Sequence, residues 1–535
     1  MHWSDVAAKR LAERGNKHII STGITPSGEF HIGHLREILT GDMLTRAAKK
    51  AGLDVEFVFI VDSADPLRKV YSFLDDEYES YIGHQLKQIP PPTSEGKPDH
   101  ERFSNGISYA DHFLEPFKEA LEQINVRPRF IDNYESYSSG KFSEMARIAC
   151  NKATEIREII ERVSGRELSE EWFPWNPIDS TGSIDGITVT GWNDPFVEWI
   201  DSNGQTGRSD VTKGEGKLPW RIDWPAKWAW IGVTMEPFGK DHGAAGGSYD
   251  TGKEIVELFG KQAPVDLTYE WISLRGQGAM SSSSGNTIGP LEALSLVPPE
   301  ILRYLIASTK PNKAIEFDTG MGLVTLADEY ERLAARDFKQ ELTNQELSRR
   351  KRVQIEDAAG AMRMASTIPG VRVQASAVTF RHLALLAQTK KSDEDVWANL
   401  RDSEVIETVT PRMQDRLNRM RYWIQSPHFP EEMRIHILSQ PNAEAIQGFS
   451  ENERSILRAL SAEFANCQWT KKEIAAAIPR SIESLSVAHK WHAYRVAYLC
   501  LMGVEKGPRL APILSELEKN DILSLLENSI KIIDS

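Results

Sequence analysis

Two histidines three residues apart, His31 and His34, enclose Ile32 and Gly33 in the stretch "GITPSGEFHIGHLRE", Gly23 to Glu37. A short apolar run comes just before them and apolar residues at helical spacing come after. A helix opening there presents free N–H groups and a positive dipole end, which suits a phosphate. Gly33 lets the backbone come close, and the two imidazoles can donate hydrogen bonds as charge develops in phosphoryl or nucleotidyl transfer. The plain alternative is a histidine pair that caps or packs a helix. A second stretch, "AMSSSSGN" from Ala279 to Asn286, follows a strand-like run and read alone would be a flexible linker. In one α/β domain with the histidines it becomes a hydrogen-bonding loop for the same ligand.

The elements that must position these groups are legible around them. "KHIISTG" from Lys17 reads as a short strand, "HLREILTGDMLTRAAKKAG" as a helix ending at Gly52, and "DVEFVFIVDSAD" as a buried parallel strand with Asp62 and Asp65 at its carboxyl end. From about 85 to 218 the rhythm breaks into an insertion, with "IPPPTSEGKPD", helical stretches near 108–124 and 143–164, and a Gly/Asp/Asn-rich tract of short strands. The α/β character returns in "GVTMEPFGKDHGAAGGSYDTGKEIVELFG", followed by "LTYEWISLRG" as a further strand. Beyond Pro298 the segments are amphipathic at period 3.6. The expected fold is an α/β Rossmann-like catalytic domain over 1–293, a helical connecting domain over 294–370 and an all-α domain over 371–535.

Composition narrows the class. With 535 residues, 40% hydrophobic and 26% charged, the chain can bury a sizeable core, and disorder or a fibre is excluded. No signal segment or bilayer-length apolar run is present, so a cytoplasmic protein without membrane contact is expected. The net charge of -14 argues against non-specific nucleic-acid binding, while local basic faces remain open to a structured one. Three cysteines far apart, Cys150, Cys467 and Cys500, make neither a disulfide framework nor a zinc knuckle.

With "PSGEFHIGH" as first signature and "AMSSSSGN" as a degenerate second, the chain resembles a class I aminoacyl-tRNA synthetase. "WRIDWPAKW", "MEPFGKDHGAAGGSYDTGKEI", "ASTKPNKAIEFD" and "EKGPRLAPIL" narrow the resemblance to the class I lysyl-tRNA synthetases of archaea and some bacteria. The resemblance implies two steps. Lysine and ATP give lysyl-adenylate and pyrophosphate, with Mg²⁺ carried by ATP, and the terminal ribose of lysine tRNA then takes the lysyl group. It further implies that His31 and His34 stabilise the pentavalent phosphate while Met280, Ser281 and Ser283 hold the pyrophosphate side. ATP would also meet Pro26, Gly28, Gly33, Asp241 and His242. The family's second signature usually carries lysines where this chain has Ala279, Ser282 and Ser284. Either serine hydroxyls, backbone amides and Mg²⁺ suffice, or a nearby cation such as Arg275 substitutes, or the activity has weakened.

Lysine brings two cationic groups, so its pocket needs carboxylates and aromatic faces. Asp62, Glu236 and Asp241 are the candidate acids, with Gly23, Thr25, Trp220, His242 and Tyr269 as further walls. Exposed or helix-capping acids are the ordinary alternative. For tRNA, Lys310, Lys313, Arg349, Arg350 and Arg381 are candidate phosphate contacts, against the plain reading of a solvated helix face. The family's zinc-binding cysteines are missing from the insertion, so no zinc and no other protein-bound metal is expected. A monomer is expected. A synthetase-like tRNA-binding protein with weakened or lost adenylation, and a nucleotidyltransferase, are the rival readings.

Overall fold

The computed structural model describes residues 1–276, 278–279, 287–483, 485 and 489–535, of which 278 and 279 are described by backbone only. They fall into two compact units. The first holds 1–294, 299–318 and 332–374, and the second holds 295–298, 319–331 and 375–535.

The first unit is built on strands β1 (Lys17–Ile24), β2 (Asp54–Val61) and β3 (Arg129–Asp132). The short strands β4 (Asn176–Pro177), β5 (Ile187–Asn193), β6 (Phe196–Asp201), β7 (Thr206–Asp210) and β8 (Gly216–Lys217) follow. Then come β9 (Met235–Gly239), β10 (Val265–Tyr269), β11 (Ile272–Leu274), β12 (Gly278–Ala279) and β13 (Ile315–Phe317). The central sheet has the order β10-β9-β1-β2-β3 with every pairing parallel. Strand order therefore reverses at β1, and a crevice opens there at the carboxyl ends of β1 and β9. β2 is a near-continuous buried run, as a parallel strand covered on both faces requires.

The helix Ile32–Lys50 joins β1 to β2 and buries 13 of its 19 residues. Such all-round burial explains its weak amphipathic contrast. It lies close on the sheet: a Cβ at Gly41 would stand 2.6 Å from the Phe57 ring and 2.8 Å from Thr22. Arg303, fully buried, ties this helix to the helix Pro299–Ala307 through Asp42 and reaches the carbonyls of Ile124 and Met364.

Three details depart from the sequence reading. The stretch near 143–164 is two helices, Ser143–Asn151 and Ala153–Ser164, because Lys152 leaves helical geometry. "LTYEWISLRG" is two strands in two sheets: β10 ends at Tyr269, and Glu270 N–H turns to the Pro311 carbonyl at 2.8 Å. The tract read as an insertion supplies β3, an edge strand of the central sheet. Of its remaining strands, β5, β6 and β7 form a separate antiparallel sheet, and β4 and β8 pair antiparallel with each other.

The second unit is helical, with a core of Ile456, Leu457, Leu460, Phe464, Ile474, Val496, Cys500 and Leu526 among others. All three cysteines are buried free thiols. Among the described residues no helix is long and apolar enough to cross a membrane.

Candidate active site

At the carboxyl ends of β1, β9 and β10 lies a cavity of about 600 Å³, within the size range of small-molecule sites. His31 is the N-cap of the helix Ile32–Lys50. Its Nδ1 accepts from Gly33 N–H at 3.1 Å, and its own N–H donates to Nδ1 of His34 at 3.0 Å. A backbone N–H cannot accept, so both Nδ1 atoms are unprotonated and the proton of each neutral ring sits on Nε2. Burial pushes His31 down to about 4; burial and then the neighbouring His31 push His34 well below the usual histidine range. The rings stand 3.9 Å apart between centroids. The pair is thus a set of neutral donors, fixed by the capping of one helix, on the cavity wall.

The opposite chemistry comes from two glutamates. Glu37, two turns into the helix, accepts from Gly23 N–H at 2.8 Å and from the Tyr269 hydroxyl at 2.8 Å. Glu236, inside β9, accepts from the indole N–H groups of Trp224 (3.1 Å) and Trp228. All of these donors are neutral. Burial raises Glu37 to about 7 and Glu236 to about 8. Trp220 and Trp224 belong to the helix Trp220–Ile231, and with His242 they form an aromatic face, with ring centroids 5.1 and 5.6 Å from His242.

Asp62 also lines the cavity, yet its carboxylate is bound by Lys227. Lys227 also holds Asp223 at 2.7 Å. Burial alone would lower Lys227, but Asp223 and Asp62 outweigh it and raise its pKa, so the ammonium stays charged. Lys217 pairs with Asp65, which takes the Thr25 hydroxyl at 2.8 Å. Asp62 therefore stands in an ion network rather than as an open acid, because its cation lies 165 residues away in sequence.

All eight residues expected around lysine line this one cavity: Gly23, Thr25, Asp62, Trp220, Glu236, Asp241, His242 and Tyr269. Of those expected around ATP, His31, Gly33, His34, Asp241 and His242 line it as well, whereas Pro26 and Gly28 sit in the preceding turn, off the wall. Met280, Ser281 and Ser283 lie outside the described residues. Arg275, a possible stand-in for the absent lysines, is held by Asp318 at 2.6 Å. Sequence reasoning missed Glu37, Trp224 and Lys227. Its available signals were the i, i+3 spacing of His34 to Glu37 and the i, i+4 spacing of Trp224 to Trp228, which place each pair on one helix face. Among the described residues no cluster of three or more His, Cys, Asp or Glu side chains has metal-holding geometry.

The basic candidates lie elsewhere. Lys310 and Lys313 are exposed on the segment before β13, and Arg349 and Arg350 are exposed in the first turn of the helix Arg349–Ala365. In the second unit, Arg381 and His382 line a separate cavity of about 760 Å³ together with Gln388, Lys471 and Arg509.

A parallel sheet with a capped histidine pair at its switch point, facing buried acids across one cavity, is the arrangement of a class I synthetase. The family model described as "tRNA synthetases class I (K)" matches residues 1–357, and the chain belongs to that family. It is 35% identical to a lysine–tRNA ligase of Thermoplasma acidophilum over 533 residues, covering 99% of each chain. It is 36% identical to that of Picrophilus torridus over 98% of each, and 37% identical to that of Archaeoglobus fulgidus over 97% of each.

Proposed function

We propose that this protein is a lysine–tRNA ligase. The observation that carries this is the pairing, within one cavity, of neutral histidine donors with two buried glutamates that have only neutral partners. Such glutamates are placed to answer an ammonium; the one arginine among the described residues of the wall, Arg36, has its Nη groups on backbone carbonyls, and the acids and indoles around it favour a cationic substrate over a carboxylate one. The full-length likeness to lysine–tRNA ligases supports the same substrate.

In this reading lysine lies along the Trp220, Trp224 and His242 face with its ammonium groups toward Glu37, Glu236 and Asp241. Its carboxylate oxygen forms a bond to the α-phosphorus of ATP while the bond to the β-phosphate oxygen breaks, and pyrophosphate leaves with Mg²⁺. Nε2–H of His31 and His34 donates to the phosphate oxygens as their charge grows. The terminal ribose hydroxyl of tRNA then displaces AMP from the lysyl carbonyl. Such a reaction belongs in the cytoplasm.

For tRNA, Lys310, Lys313, Arg349 and Arg350 are the proposed backbone contacts in the first unit. Cations in the first turn of a helix oppose its dipole, at about 0.3–1 kcal/mol each, so the run from Arg349 to Arg352 is not there for helix stability. In the second unit the Arg381 cavity, with apolar walls from Leu385, Met433 and Ile435 and with Lys471 and Arg509 as cations, suits an unpaired anticodon base and its phosphate. Arg381→Ala should raise the tRNA KM roughly 10-fold.

The test is charging of lysine tRNA with ATP and Mg²⁺, each of the 20 amino acids supplied in turn. Lysine-only product is expected. Absence of product, with tRNA still bound in a shift assay, would replace this reading by that of a synthetase-like tRNA-binding protein.

A further inference from the structure

Arg36 is buried to 1% exposure beside the histidine pair, and no carboxylate is its hydrogen-bond or ion-pair partner among the described residues. Four backbone carbonyls take its protons instead. Nη1 donates to Trp271 O at 3.3 Å; Nη2 faces Lys313 O at 2.8 Å, Pro311 O at 3.0 Å and Lys310 O at 3.4 Å. Burying a charge on neutral acceptors is costly, and burial accordingly lowers Arg36 to about 10. Only a planar fork with several donors in fixed directions can serve so many acceptors at once.

The acceptors are not scattered. Trp271 leads into β11 and residues 310–313 lead into β13, the two strands that pair in parallel. The same carbonyls also close that junction: Trp271 O accepts from Ile315 N–H at 3.0 Å, and Pro311 O from Glu270 N–H at 2.8 Å. β12, which runs into "MSSSSGN", pairs only with β11 in this small sheet. After that stretch the chain returns to the same helix, where Ile32 N–H donates to Ile288 O at 2.9 Å. The helix that carries His31 and His34 therefore contacts the described chain on both sides of residues 280–286, through Arg36 to Trp271 and through Ile32 to Ile288.

We infer that Arg36 is a positioning residue for adenylation: it sets the junction of β11 and β13, and with it the cavity-lining Trp271 and Ile272, against the helix that carries the two histidines. The inference rests on the synthetase reading for its catalytic consequence, not for the clamp itself. Trp271, whose carbonyl Arg36 holds, lines the cavity, so a shift of this junction moves the wall beside the histidines.

The experiment compares wild type with Arg36→Met and Arg36→Lys in lysine-dependent ATP–pyrophosphate exchange, well below the unfolding temperature of each. Hydrogen exchange is measured in parallel on peptides spanning 270–276 and 310–317. Arg36→Met should lower kcat on the order of 100-fold, the loss expected of an ångström-scale misplacement, with lysine KM within about 3-fold of wild type. Arg36→Lys, which restores the charge but not the fork, should recover only part of the loss. Exchange at Glu270 and Ile315 should rise in both variants. A merely structural role would lower the melting temperature and leave kcat of the folded enzyme unchanged, which would overturn the inference. Unchanged hydrogen exchange in Arg36→Met would overturn the clamp whatever the activity. Wild type inactive with lysine would refute the functional reading, and the exchange data would still decide on Arg36.

Discussion

On one flank of the cavity Asp62, Asp65 and Asp223 are ion-paired with Lys217 and Lys227, whereas on another Glu37 and Glu236 accept hydrogen bonds only from N–H and O–H groups without charge. Both sets are buried, and both pay for desolvation. The difference is what completes them. The aspartates are closed by the protein's own cations and give the crevice its shape, Thr25 being pinned through Asp65. The glutamates are hydrogen-bonded but not neutralised, so the missing cation has to arrive as ligand. Burial and acidity alone would not tell the two sets apart; the charge of their donors does.

Breaking the closed set should have the largest effect. Lys227→Met leaves Asp62 and Asp223 buried without their shared cation, and removal of one partner of such a pair costs about 3–5 kcal/mol. Denaturant unfolding of the first unit should shift by that amount. A loss under about 1 kcal/mol would mean that the network is not what holds this flank, and the contrast drawn above would fail.

The open set should answer differently. Glu37→Gln keeps the shape while removing the charge: its amide oxygen can still accept from Gly23 N–H, and the Tyr269 hydroxyl can turn to accept from the amide NH2. The expected result is a lysine KM raised ~100-fold, about 3 kcal/mol, with little change in melting temperature because no internal cation loses its partner. Equal losses for ATP and lysine would show that Glu37 supports the whole cavity instead of reading one substrate.

How far the sequence carried these distinctions follows from where each partner lies. β1, the following helix and β2 are contiguous, and their apolar patterns are written within 45 residues, so the strand, the turn and the helix opening at the histidine pair were legible, while capping by His31 was only the plain alternative. All the residues expected around lysine share one cavity because the turns at strand ends converge on a switch point in any such sheet. The status of each acid was not legible. Asp62 reads as an open acid because Lys227 is 165 positions away, and Glu37 is not singled out because Tyr269, which reveals its role, is 232 away. Likewise "LTYEWISLRG" has the pattern of one strand; only the Pro311 carbonyl taken by Glu270 N–H divides it between two sheets. Local pattern specifies elements and the ends of strands, while long-range pairing decides which charges are spent.

The smallest effect is also the sharpest test of the comparison, because it needs no substitution. In the empty protein Glu37 holds its proton to about pH 7 and Glu236 to about pH 8, well above the carboxyl range of an unfolded chain near 4.3. A carboxyl with a raised folded pKa binds more protons folded than unfolded, so its contribution to stability is full at low pH and is lost as pH rises toward 7 to 8. Bound lysine reverses the preference at the glutamate its ammonium meets, since an ammonium favours the ionised form. Below pH 7, then, lysine must expel a proton to bind, and its KM should fall by up to roughly 10-fold per pH unit between pH 6 and 7 and flatten above about 8. In the closed set Lys227 keeps its proton throughout this range, and Asp62, which burial raises to about 6, titrates only at its acid end. Lysine-dependent pyrophosphate exchange at saturating ATP, from pH 6 to 8.5, measures the slope. Thermal shifts measured alongside should show lysine stabilising the protein more at pH 8 than at pH 6. A flat KM profile would mean that the two glutamates are already ionised without substrate, and the distinction between open and closed acids would then rest on geometry alone.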